Sequence, residues 1–145
     1  MRQVSWMTAL GATLLMQTVA SFMGQCLPVV APLLTAEAGV GTQAIGFLSA
    51  LTSVGTIVFL AFGGPVLARV GPVRMLQAGS VLGAASLAIC ASGWWPALVG
   101  AALLLGVGYG PSPPAGSRIL AATAPPRHRT LIFSIKQAGA PAGGA

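Results

Sequence analysis

Long apolar stretches joined by short polar links set the pattern of this chain. Gln3 to Ala36 carries no charged side chain, nor does Ala38 to Ala68, nor Met75 to Ser117. A helix rises about 1.5 Å per residue and a bilayer's hydrocarbon core is about 30 Å thick, so about 20 apolar residues make one crossing. The Met75–Ser117 run is too long for one crossing and suits two. It breaks at Ser92-Gly93-Trp94-Trp95-Pro96, where Gly and Pro interrupt a helix and Trp favours the membrane–water interface. The pattern predicts spans over 6–34, 43–67, 75–91 and 97–121, and an incomplete fifth over 131–145. The first span is long and is expected to tilt, or to bend at Pro28 and Pro32.

Composition sharpens this into a fold class. Charged residues are 6% of the chain and apolar ones 55%, whereas a soluble domain carries about 25% charged residues. The chain lacks the polar surface of a soluble fold and reads as an all-α, polytopic membrane helix bundle. The net charge of +6 does not indicate nucleic acid, because the basic residues fall mostly in predicted links and no aromatic residues interleave with them. They read as topology signals. With a cytoplasmic N-terminus, Arg2, Arg69, Arg74, Arg127 and Arg129 share the inner side and Glu37 alone lies outside. Basic residues of short loops collect on the cytoplasmic side, so the expected setting is a plasma membrane, a bacterial inner membrane, with the N-terminus inside. The first stretch is longer than the h-region of a signal peptide. Cys26 and Cys90 lie within apolar spans and read as small hydrophobes.

Small residues recur at helical spacing in three successive spans: Gly79 and Gly83, Gly106 and Gly110, Gly139 and Gly143. Such pairs let helix backbones approach closely in lipid. The stretch from Gly106 through Gly108 and Gly110 to Pro111, Pro113 and Pro114 cannot be a plain straight helix. It is either a packing kink or a hinge lining a cavity.

At the second link, Gly64-Pro-Val-Leu-Ala68-Arg69-Val-Gly71-Pro-Val-Arg74 resembles the signature between the second and third helices of the major facilitator superfamily. Leu27-Pro28 through Pro32 is similar to the end of that family's first helix, and Ile45-Gly46-Phe-Leu-Ser49 to the start of its second. Pro125-Pro126-Arg127-His128-Arg129 resembles its basic loop before the fifth helix, and Phe133-Ser-Ile-Lys136-Gln137-Ala-Gly139 the opening of that helix. The ordered set covers the whole chain. The resemblance implies two six-helix halves around a central cavity, each half built from inverted three-helix repeats. Residues 1–145 would then be part of the N-terminal half, its first four helices and the start of a fifth. Gly64, Arg69, Gly71 and Arg74 match the loop signature. Ala68 departs from it: the family usually has Asp there, implicated in a charge lock on the cytoplasmic face, which Ala cannot form.

An ionisable residue inside a membrane bundle is a functional candidate. Lys136 in the fifth span and Arg118 near the cytoplasmic end of the fourth qualify, and both side chains are long enough to snorkel instead. Gln17, Gln25, Tyr109 and Gln137 are polar positions on the first, fourth and fifth spans, which line the cavity in the family. Each reads equally as an interhelical hydrogen bond. Lys136 and Arg118 together would favour an anionic small-molecule cargo. His128 has no partner at metal-ligand spacing, and no group of residues suits acid–base or nucleophilic chemistry. No metal, cofactor or enzymatic activity is expected. The leading expectation is the N-terminal part of a secondary transporter of small solutes, partnered by the lipid bilayer and by its own missing C-terminal part, because the fifth span stops short of a crossing. The alternative is a complete small membrane protein whose copies assemble into a channel or structural oligomer.

Overall fold

The computed structural model describes residues 5–144; Arg2, counted above among the basic residues of the inner side, lies outside them. The described residues are helical and contain no strand. α1 runs Trp6–Glu37, α2 Gln43–Phe62, α3 Gly64–Val70, α4 Pro72–Cys90, α5 Trp95–Tyr109, α6 Ser112–Thr123 and α7 Arg129–Gly144, with a single 3-10 turn at Pro126–His128 before α7. α1, α2 and α4 are each long and apolar enough to cross a membrane.

Several boundaries differ from expectation, and proline chemistry explains most of them. The second span does not run to Leu67. It ends at Phe62, and a short α3 follows that carries Arg69 in its last turn rather than in a link. Pro65 has no N–H to give the Ala61 carbonyl, so the ladder lapses near Gly63. The third span begins at Pro72 instead of 75, because Pro suits the first helical turn. Gly71, between α3 and α4, has φ 87° and ψ 157°, a conformation open essentially to glycine alone.

The fourth span is two helices. Pro111, Pro113 and Pro114 leave the carbonyls of Val107, Tyr109 and Gly110 without their usual donors, yet Gly110 and Pro111 keep helical dihedrals, so α6 continues from α5. α1 passes through Pro28 and Pro32 as one helix and includes Glu37, which had been expected in a link. α7 starts at Arg129 rather than 131.

Packing follows the small residues. α2 packs on α5, α1 on α7 and α4 on α5. At the α2–α5 seam a Cβ at Gly55 would collide with the Leu103 carbonyl and one at Gly106 with the Thr52 carbonyl. At the α1–α7 seam a Cβ at Gly139 would lie 3.0 Å from the Leu14 carbonyl, and one at Gly143 would strike that of Thr18. Leu14 and Thr18 advance with Gly139 and Gly143, and Gly55 and Phe59 advance with Leu103 and Gly110, so α1 runs parallel to α7 and α2 to α5. α4 and α5 are antiparallel, with Gly108 against Gly79 and Gly83. All three glycine pairs expected to mediate close packing sit at these seams. The main apolar core joins Leu27, Leu48, Cys90, Leu98 and Leu105 from four helices.

Candidate functional site

Four helices line an open cavity of about 350 Å³. α1 contributes Ser21, Gly24 and Gln25, α2 contributes Thr52, Ser53 and Thr56, α5 contributes Tyr109 and α7 contributes Ala140. Its volume falls in the range of small-molecule sites. A larger groove of about 570 Å³, between α1 and α7, is lined chiefly by apolar residues such as Leu10, Leu14, Leu131 and Ile135 and offers little to a polar ligand.

Two expected residues, Gln25 and Tyr109, meet in the polar cavity although they are far apart in sequence. Below it on α1, one turn from Ser21, Gln17 is 2% exposed and bonded across helices at both ends of its amide. Its Nε2 donates to the Tyr109 hydroxyl at 3.4 Å, and its Oε1 accepts from the Ser112 hydroxyl at 3.3 Å. This network ties α1 to both sides of the α5–α6 break and forms a polar floor under the cavity. The proline-rich stretch is thus both a kink and part of the cavity's support.

Lys136 lies beneath that floor, buried with 1% exposure. Its Nζ donates to the Pro113 carbonyl at 3.1 Å and to the Ser117 hydroxyl at 3.4 Å, and Ser117 itself donates to Pro113 at 2.8 Å. Gly116 makes the slot: a Cβ there would be 3.0 Å from Lys136 Cε and 3.8 Å from Thr13 Cβ. Lys136 neither snorkels nor touches the cavity in this conformation. Ala140, one turn or about 5.4 Å further along α7, does line the cavity. Glu37, the sequence's single acid, sits near Gly93 in the α4–α5 turn. That is on the order of 35 Å along α1 from the level of Thr13, so the ammonium is held by dipoles and not by an ion pair.

The remaining expected residues lie elsewhere. Arg118 and Gln137 are exposed and stand apart from the cavity lining. Arg69, Gly71 and Arg74 lie at the α3–α4 turn, with both arginines exposed, and Gly64 opens α3 at its other end. Arg69 in the last turn of α3 faces the negative end of a helix, whereas Arg74 in the first turn of α4 faces a positive one. Ala68, within α3, brings no acid to offset the latter. His128 is exposed in the 3-10 turn.

Sequence reasoning passed over the α2 wall. Ser49, Thr52, Ser53 and Thr56 recur at helical spacing, a polar stripe on an otherwise apolar helix that was the available signal.

The family model of the Major Facilitator Superfamily matches residues 13–145. No curated protein and no solved structure matches the chain.

Proposed function

Because this chain belongs to the Major Facilitator Superfamily, we propose that it is the N-terminal part of an alternating-access secondary transporter, and that the α1–α2–α5–α7 cavity is its share of the path for a small anionic solute. Membership and the apolar helices make it an integral membrane protein of the transporter kind. The finer reading rests chiefly on one observation: a buried ammonium, Lys136, stands under a polar cavity among dipolar partners alone.

Gln25 and Tyr109 line the space in which the cargo sits, and the Gln17–Tyr109–Ser112 network separates it from Lys136. Lys136 acts through its field rather than by contact. With a separation of about 10 Å and an effective dielectric near 20, one unit charge favours an anion by roughly 1.7 kcal/mol. That corresponds to about a tenfold to twentyfold gain in occupancy. Arg118, on α6 next to Ser117, adds positive charge that its exposure screens. The loop of Gly64, Arg69, Gly71 and Arg74 sets the turn on the cytoplasmic face, with the N-terminus on that side.

The test is uptake of L-lactate by the transporter containing this chain, reconstituted in proteoliposomes. Lys136→Met keeps the length and apolar stem of the side chain and removes the charge. Lactate uptake at sub-saturating concentration is expected to fall about tenfold at matched reconstitution. Uptake unchanged in Lys136→Met would refute the anionic reading and leave Lys136 a packing residue.

A further inference from the structure

The two walls of the cavity differ in what they can offer a hydrogen-bonding cargo. A serine or threonine hydroxyl has one proton to donate and two lone pairs. On α2 every cavity-lining hydroxyl has committed its proton to a carbonyl. Thr52 donates to Leu48 at 3.1 Å and Ser53 to Ser49 at 3.1 Å. Thr56 shares its proton between Thr52 and Gly106, each at 3.1 Å. What these three groups keep for the cavity is lone pairs.

The facing side is different. The Tyr109 hydroxyl accepts from Gln17 at 3.4 Å, which leaves its own proton unspent. Gln25 is exposed and brings an amide with two N–H donors. One wall is therefore acceptor-rich and the other carries the donors.

From this polarity we infer that the cavity selects small carboxylates that bear a hydroxyl beside the carboxyl group, that is α-hydroxy acids. The hydroxyl turns to Thr52, Ser53 and Thr56 and the carboxylate turns to Tyr109 and Gln25. A carboxylate turned the other way meets lone pairs with no proton to share. A plain carboxylic acid leaves the α2 oxygens without a donor once water is displaced, and a polar group cut off from water without a partner is costly. Sites built to bond a hydroxyl or an N–H reject analogues that lack it far more strongly than apolar pockets reject a missing methylene. The inference rests on the anionic reading above and narrows it to a chemical class.

The test compares L-lactate with propionate, which has the same carbon skeleton and no hydroxyl. Uptake of both is measured in proteoliposomes holding the whole transporter, with ethanolamine as a cationic donor probe. Lactate is expected to half-saturate uptake at a concentration at least tenfold below propionate. Ser53→Ala combined with Thr52→Val is expected to bring the two acids to within about threefold by weakening lactate alone. Both lost groups bond only within α2, so the fold has little reason to change. Equal half-saturation of lactate and propionate in the unmodified protein would overturn the inference and leave the anionic reading standing. Uptake of ethanolamine with neither acid would overturn both.

Discussion

Adding one methyl group at Gly106 separates the two helices that carry the polar wall of the cavity. A Cβ there would collide with the Thr52 carbonyl oxygen and lie 2.8 Å from its carbon and 2.9 Å from the Thr56 nitrogen. Ordinary contact begins at 3.4 Å. All three atoms belong to backbone, so no side-chain rotation relieves the clash and α2 must move from α5 by about an ångström. Overpacking of this kind costs typically 1–3 kcal/mol. The shift also breaks the bond from Thr56 to the Gly106 carbonyl, 3.1 Å long, which in a membrane bundle is worth about 0.6 kcal/mol. Gly106→Ala is therefore expected to lose roughly 2–4 kcal/mol. Gly100→Ala, on the same helix but with nothing within 4 Å of its Cβ, is expected to be neutral or stabilising by up to about 1 kcal/mol. Reversible unfolding of both variants in bicelles, read by steric trapping, measures the contrast. A Gly106→Ala stability within about 0.5 kcal/mol of the parent would refute the close-seam argument.

Three further outcomes follow from other sites. Ser92→Cys is expected to react with a membrane-impermeant thiol reagent from outside intact cells, since the proposed orientation, with the basic links inside, puts the α4–α5 turn on the outer face; reaction only after permeabilisation would reverse the topology. Gly71→Ala is expected to cost about 1–3 kcal/mol despite open space around it, because φ 87° and ψ 157° strain any L side chain; an unfolding midpoint equal to the parent's counts against it. Lys136→Arg is expected to be less stable than Lys136→Met by about 1–3 kcal/mol, as the guanidinium is wider than the slot at Gly116; the reverse order in the same unfolding assay would show that charge, not fit, holds the slot.

What the sequence disclosed depended on which physical quantity each residue carried. The spans were legible because hydrocarbon excludes charge, and the gaps between charges measure the crossings. The α2–α3 break at Gly63 was not, because a single missing N–H at Pro65 scarcely changes an average of hydropathy. Gln25 and Tyr109 stood out as polar groups in apolar runs, and the structure brings them to one cavity. Thr52, Ser53 and Thr56 did not, since small hydroxyls satisfied by their own helix look neutral in a sequence. The depth of Lys136 could be counted along α7. Its enclosure could not, because that is set by Gly116 on another helix and by the proline carbonyl facing it.

The pairing of α1 with α7 has a consequence for biosynthesis. The first helix to leave the ribosome finds its principal neighbour only when the last described helix emerges, and α2 must likewise wait for α5. In between, the α1 and α2 faces of the seams have no partner, and the early helices depend on lipid or on insertion factors to stay unassociated. Slow translation between α2 and α5 would prolong that interval, so the sensitivity of assembly to translation rate should concentrate in the stretch encoding residues 63–94, none of which lines the cavity.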